Sequence, residues 1–525
     1  MLRLVRLAQP VLLQRAEWIA ISTAALWLLS PLLASTSLII VQRMTSLCTT
    51  FVLTGLLVYL AGLSWEVSGR AKLGLGLQAS GIALGTLLAV LTKENGILLS
   101  LYALVLEKTI LSNAVKMSTS LRWRTWLLAA PPVLLLAYIA LTWQDMRAVY
   151  ATRDFSPSER LMTEAVILWD YLRLAAVPRP VAFSPFNDDY PIVRSLLEQP
   201  WALIALLGWL TIIALAFRKR KNWPLFALAV FWYLGGHSLE STVVPLELYF
   251  EHRNYLPLIG PILALSWFFW TPHLVGSLYR LAPIVLGGYV VLLAALLWQL
   301  TTLWGQPLIA AEVWARQHLH SPRAIHFLAT SYLALEKPET ARQVLERAAY
   351  AHPTTIGLSL QALLLACTYG NINETRSLFR MTQENAIQGK YSAATVNSLR
   401  RIREMLSRGE CPGLSRADLY NLIDQLMINP LYISNGRRLS GLHYLKSELY
   451  RDERNLDATL NHLEAAYQAE PDIGAAVLIV STMLSAGLNE QAQVFLDQIG
   501  KDLPMNPVLR IEWLKIVNQL RAQIN

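Results

Sequence analysis

The sequence predicts an all-α protein in two parts: a polytopic helical membrane domain of about nine spans over 1–304, then a tetratricopeptide-like α-solenoid over 305–525. Three observations predict it. Hydrophobic residues make up 54% of the 525 positions and charged ones only 15%, with a mean hydropathy of +0.38, whereas a soluble domain runs nearer a quarter charged. Apolar runs separated by short polar joints continue as far as Trp304. Beyond about 307 the pattern changes to paired amphipathic helices.

Each span needs roughly 17–25 apolar residues to cross the hydrocarbon core. The runs that qualify lie near 17–34, 46–64, 73–91, 96–112, 126–143, 201–217, 223–239, 255–270 and 281–303. Lys93, Glu94 and Asn95 alone separate the third from the fourth. Arg3, Arg6 and Arg15 precede a long span with no small-residue cleavage site, so the sequence shows no cleavable signal peptide.

The net charge of +9 is unevenly placed: residues 1–304 carry 23 Lys+Arg against 15 Asp+Glu, and 305–525 carry 22 against 21. The excess lies in short loops among the apolar runs, which is not the footprint of a nucleic-acid binder. Arg3, Arg6 and Arg15, then Arg70 and Lys72, then Lys108, Lys116, Arg122 and Arg124, then Arg218 to Lys221 all share one side if the spans alternate. The positive-inside rule makes that side cytoplasmic. Met1 is then expected inside, and the 144–200 loop, the 240–254 loop and the tail to Asn525 outside. Seventeen Trp, 20 Tyr and 13 Phe suit broad membrane–water interfaces.

In the tail, residues 322–353 match the tetratricopeptide spacing at Leu328, Ala329, Tyr332, Ala341, Leu345, Ala348 and Pro353. A second copy is read over 443–471 through Tyr450, Leu463, Ala466 and Pro471, and a third over 476–504 through Ala492, Leu496 and Pro504. The stretch 355–440 is helical by period but degenerate. Repeats of this kind bury a continuous core only by stacking. Three cysteines exclude a disulfide-dense scaffold and show no zinc spacing. In an oxidising compartment Cys367 and Cys411 could bridge and pin the degenerate stretch; the other reading makes Cys367 a buried free thiol.

Ionisable residues at membrane depth are site candidates because burying charge near lipid is costly unless it is used or paired. Lys93, in Leu-Thr-Lys-Glu-Asn-Gly, reads either as a hook for a lipid phosphate or as half of a self-paired Lys–Glu turn. Asp188 and Asp189, before Tyr190 and Pro191, could hold a divalent cation or supply a general base, or simply form a turn. Glu251, His252 and Arg253 sit at a span entrance, and a guanidinium there suits bidentate phosphate binding. Arg43 enters the second span, as a headgroup contact or as a snorkelling side chain.

Phe-Glu-His-Arg-Asn-Tyr-Leu-Pro at 250–257 resembles the hallmark loop of the bacterial relatives of transmembrane-and-tetratricopeptide glycosyltransferases. Val-Gln-Arg-Met-Thr-Ser at 41–46, Leu-Thr-Lys-Glu-Asn-Gly at 91–96, Leu-Trp-Asp-Tyr-Leu-Arg at 168–173 and Phe-Asn-Asp-Asp-Tyr-Pro at 186–191 fit the same family in the same order. The resemblance implies a C-type, inverting glycosyltransferase of the bacterial inner membrane. Its donor would be a polyprenyl-phosphate-linked sugar, and its acceptor a hydroxyl on a periplasmic protein such as a pilin. It implies catalytic carboxylates at Asp188, Asp189 and Glu251, and a carrier-phosphate site of Lys93, Arg253, His252 and Arg43. Members of the family open with a further span and an acidic outer loop, whereas no Asp precedes Asp145 here. Either an upstream segment supplies that loop, or the acidic work falls to Asp188 and Asp189. The competing expectation is a non-catalytic, membrane-anchored repeat adaptor of an envelope or pilus assembly.

Overall fold

The computed structural model describes residues 4, 15–111, 121–150, 153–179, 183–271, 280–392, 394–500, 503 and 507–524. Arg3, Arg6, Lys116, Pro504 and both chain ends, which entered the topology and repeat readings, lie outside the described residues. The described residues are overwhelmingly helical and contain no strand, only an isolated bridge between Thr355 and Lys390. They divide into two compact units, 1–321 and 322–525.

The first unit contains α1 (Ala16–Leu28), α2 (Arg43–Val67), α3 (Ala71–Val90), α4 (Leu99–Lys108), α5 (Leu121–Leu141), α6 (Pro157–Ala176), α7 (Pro200–Lys219), α8 (Pro224–His237), α9 (Ile259–Phe269), α10 (Ala282–Trp304) and α11 (Pro307–Gln317). Five of its helices are long and apolar enough to cross a bilayer: 40–67, α3, the 123–141 part of α5, α7 and α10. A sixth results if α1 and the following Pro31–Leu38, bent by 58°, count as one broken span. The nine runs of the sequence are therefore not nine full-length helices. The runs at 96–112, 223–239 and 255–270 become α4, α8 and α9, of 10, 14 and 11 residues. Polar or proline-led turns shorten them: Glu94–Leu98 forms a 3₁₀ turn before α4, Pro224 opens α8, and Glu251–Asn254 forms another 3₁₀ turn before α9.

Glycines set the closest approach in this unit. A Cβ on Gly62 would lie 2.5 Å from the Gly74 carbonyl oxygen, and one on Gly81 would lie 2.8 Å from that of Gly55. Helices α2 and α3 thus pack backbone against backbone, as small residues allow within lipid, where dispersion and not water exclusion drives association. Gly69, at φ +92°, makes the turn between them. Helix α6 starts with a capping box, in which Ser156 accepts from the Glu159 amide while Glu159 accepts from the Ser156 amide. Being amphipathic, α6 buries Ile167, Leu168 and Tyr171 among Trp209, Tyr233 and Tyr249.

The second unit comprises α12 (Pro322–Ala334), α13 (Pro338–Ala351), α14 (Ile356–Tyr369), α15 (Ile372–Asn385), α16 (Ala394–Arg408), α17 (Arg416–Met427), α18 (Gly436–Asp452), α19 (Leu456–Ala469), α20 (Ile473–Ser485), α21 (Asn489–Ile499) and α22 (Pro507–Ile524). Most of its helices pack on the next in sequence. Ala329, Ala341 and Leu345 sit in one core, while Leu463, Ala492 and Leu496 sit in a second. Cys367 on α14 and Cys411 beyond α16 are joined as a disulfide, their Cα atoms 4.3 Å apart, so Cys367 is not a free thiol.

Candidate functional site

The site is built where two apolar runs break. After α3 the backbone of Lys93 is extended (φ −157°, ψ 141°), and the Glu94–Leu98 turn delays the next helix. That geometry carries the ammonium away from Glu94, which is exposed, and into the protein. Lys93 is 5% exposed and pairs with Glu240 at 2.9 Å, not with its sequence neighbour. Its ammonium also donates to the Thr45 hydroxyl at 3.3 Å.

The second break is the segment after α8. Arg160 of α6 organises it, donating to the carbonyls of Thr242 (2.8 Å), Leu246 (2.5 Å) and Glu240 (2.6 Å) while pairing with Glu164 one turn on at 2.9 Å. Arg253 reaches the same carboxylate at 3.6 Å and donates to the carbonyls of Leu248 (2.7 Å) and Glu247 (2.5 Å). Its guanidinium lies 5.3 Å from the Phe250 ring centroid. The Nε–H of Arg253 is buried with no hydrogen-bond partner. Glu251 accepts from the Ser184 amide at 3.1 Å.

The electrostatics follow from burial. Burial pushes the Glu251 carboxyl up to about 8, against the Ser184 amide hydrogen bond, so it is mainly neutral at pH 7. Burial also raises Glu164, to about 7, although Arg253 and Arg160 oppose it. For Glu240 burial acts upward too, but the Lys93 and Arg253 charges outweigh it and hold the carboxyl at about 2. Burial, assisted by the Lys93 charge, lowers His252 to about 3. Three buried cations (Lys93, Arg160 and Arg253) therefore face Glu240, ionised, and Glu164, partly ionised. The cluster carries at least one uncompensated positive charge together with a guanidinium N–H that has nothing to donate to. An anion would satisfy both.

Lys93, Glu251, His252 and Arg253 are all buried. Asp188 and Asp189 take other partners. Asp188 accepts from the Ser321 hydroxyl at 2.5 Å, and Asp189 meets His318 at 2.8 Å, so both engage the segment after α11. Neighbouring Tyr190 joins them to α6 by donating to Asp170 at 2.7 Å. Among the described residues no group of three or more His, Cys, Asp or Glu side chains forms a metal-holding cluster. Arg43 is exposed at the start of α2 and donates to the Ser37 carbonyl at 3.3 Å, outside the buried cluster. Arg160, Glu164 and Glu240 complete the site. The first two were detectable as an i, i+4 pair on the inward face of an amphipathic helix.

A second buried cluster was not read from the sequence at all. Arg124 of α5 pairs with Glu107 of α4 at 2.5 Å and with Glu66 of α2 at 3.2 Å. Gln78 of α3 donates to Glu66 at 2.8 Å, and the Tyr59 hydroxyl donates to Glu107. The sequence reading places Arg124 among the basic loop residues.

The comparisons with known proteins return no match to a family model, to a curated protein or to a solved structure.

Proposed function

We propose that this chain is a membrane glycosyltransferase that moves a sugar from a polyprenyl-phosphate carrier to a hydroxyl on an acceptor at the 240–254 face. In this reading the nine apolar runs are spans, short helices included. The basic loops are cytoplasmic, and the paired helices of the second unit are a periplasmic tetratricopeptide-like solenoid. The observation that carries the reading is the surplus of buried positive charge at Lys93, Arg160 and Arg253, with the Arg253 Nε–H unused. A phosphate suits it because a guanidinium binds phosphate oxygens bidentately. Lys93 and Arg253 are 5% and 4% exposed, so the headgroup enters by replacing Glu240 or Glu164 as their counter-ion.

The step is an inverting displacement. The acceptor oxygen forms a bond to the anomeric carbon, a carboxylate takes the hydroxyl proton, and the bond from that carbon to the phosphate oxygen breaks. Lys93 and Arg253 hold the charge that develops on the departing phosphate. Glu251, which shares its turn with Arg253, is held mainly protonated at pH 7 and serves as base only through its ionised fraction; Asp188 and Asp189 would serve only if released from Ser321 and His318. Those two contacts favour the second reading, a repeat adaptor in which the acidic pair is a structural tie.

Transfer from a labelled polyprenyl-phosphate sugar, measured in proteoliposomes, tests the choice. Arg253→Ala and Lys93→Ala are expected to reduce transfer by about a hundredfold or more, whereas Asp188→Asn with Asp189→Asn leaves most of it. Full transfer in both cation variants, or none in well-folded native protein, would favour the adaptor.

A further inference from the structure

The second unit carries a pocket that the transfer reading does not use. It has a volume of about 390 Å³ and opens between α19 and α21, with α20 beneath. Its floor is apolar and aromatic: Met483, with Tyr467 and Phe495 packed edge to face at 5.4 Å. Val494, 69% exposed, stands at its mouth. Glu464 of α19 and Glu490 in the first turn of α21 place two carboxylates around this floor.

These carboxylates are unused, although they line an apolar floor. Several other acidic side chains of the unit are answered by arginines. Glu374 pairs with Arg342 at 2.9 Å, Glu448 with Arg400 at 3.2 Å, and Asp497, on the same helix as Glu490, with Arg521 at 2.7 Å. Neither Glu464 nor Glu490 makes an ion pair or hydrogen bond with a described residue. Glu464 is moreover half-buried, and burial raises its carboxyl above the ordinary range, the condition of an acid that lacks its counter-ion. Two carboxylates beside an apolar floor are complementary to one kind of group, a cation on an apolar stem. The carboxylates neutralise the charge and the methylenes cover the floor.

We propose that the α19–α21 pocket receives a lysine or arginine side chain of a partner polypeptide. The volume admits one such side chain, and exposed Val494 gives the adjoining peptide an apolar contact. The pocket lies on the face formed by the second helix of each pair, so the partner docks there and not along the first helices α18 and α20. The proposal is independent of the transfer reading, because it concerns binding to the second unit whether or not the first unit is an enzyme.

The full-length protein in nanodiscs is titrated into a fluorescein-labelled pentapeptide, Ala-Leu-Lys-Leu-Ala, and followed by anisotropy. The comparison peptide is identical but acetylated on the lysine. The proposal expects saturable binding of the first peptide, weakened at least about tenfold by acetylation and by Glu464→Gln with Glu490→Gln. Asp497→Asn, which removes an acid already paired, should leave binding unchanged. Native melting of the double variant ensures that lost binding is not lost folding. Equal affinity for the acetylated peptide would mean an unselective apolar groove and overturn the proposal. So would failure of either peptide to bind, or lysine-dependent binding that survives the double variant. Self-association abolished by Val494→Asp would assign the face to a second copy of the chain and equally overturn it.

Discussion

Two buried clusters of arginine and glutamate occupy the first unit, and they differ in what they leave over. Around Arg124, two carboxylates share one guanidinium, with Tyr59 and Gln78 adding hydrogen bonds from two helices. Around Arg253 and Lys93, cations outnumber ionised carboxylates. Helix α2 places them: Thr45, bonded to Lys93, and Glu66, bonded to Arg124, are 21 positions apart on it. At 1.5 Å per residue that is about 30 Å, roughly the thickness of a hydrocarbon core. The same residue types thus lie at the two ends of a span, one set engaged in tying four helices together, the other holding spare charge. Burial of an ion pair does not by itself mark a binding site; an excess of cations over carboxylates is what an anionic ligand requires.

The largest effect should come from breaking the cluster at Arg124. Arg124→Ala strands two buried carboxylates and is expected to cost about 3–5 kcal/mol, seen as a large fall in melting temperature in detergent. Replacing all three charges, with Arg124→Met, Glu66→Leu and Glu107→Leu, should recover most of that stability. If Arg124→Ala melts like the native protein, the assignment of a structural tie fails and the contrast between the clusters collapses.

The next effect sharpens the contrast by ligand. A polyprenyl phosphate that binds only the folded state raises its melting temperature by mass action. The rise is expected in native protein and in Glu66→Gln, whose lesion lies at the far end of α2, and should vanish in Arg253→Ala. Arg253→Lys should not restore it, because an ammonium lacks the planar fork that pairs two phosphate oxygens. A rise that persists in Arg253→Ala would move the anion site elsewhere.

How far the sequence disclosed these clusters depends on what each interrupts. Lys93 and the 250–257 loop stood out because they break apolar runs that would otherwise continue, and the structure does turn there. Arg124 adjoins a polar loop, so hydropathy assigns it to the loop, although its side chain is buried. No local pattern could pair Lys93 with Glu240 or Arg124 with Glu66, since those partners meet only through helix packing. The lengths of α4, α8 and α9 were missed for a related reason: periodicity records an apolar run without recording that a 3₁₀ turn or a proline takes part of it. In the second unit the small residues at repeat positions did find the core, because Ala329, Ala341 and Ala492 fill places where helices pack closely.

A smaller effect concerns pH. The Glu251 carboxyl in the folded protein, at about 8, lies above its ordinary 4.5, so the folded state holds this proton more tightly than the unfolded state does. Its contribution to stability is complete below pH 4.5 and is lost as pH rises through 8. Glu240 has the opposite sign: held at about 2, it adds stability above pH 4.5 that is lost as pH falls through 2. Between pH 5 and 8, Glu251→Gln should therefore flatten the decline in melting temperature. An unchanged slope would mean that Glu251 is ionised in the folded protein and that the count of spare charge at the site is wrong.

The smallest expected effect belongs to Arg43, which separates an exposed cation from the buried ones. Its side chain lies in the open at the start of α2, two positions from Thr45, which bonds Lys93. Removing it strands nothing, so Arg43→Ala should change folding stability by no more than about 0.5 kcal/mol. If the carrier phosphate reaches Lys93 past this end of α2, Arg43 attracts it as a surface charge worth about 1 kcal/mol. Arg43→Ala should then raise the KM for the polyprenyl-linked donor about fivefold and leave kcat unchanged. Arg43→Lys should restore the native KM, because long-range attraction needs only the charge. That outcome, set beside the failure of lysine at position 253, would distinguish attraction at the entrance from geometric recognition inside. A fall in kcat for Arg43→Ala would instead put Arg43 in contact with the reacting group, and the division between exposed and buried cations would no longer hold.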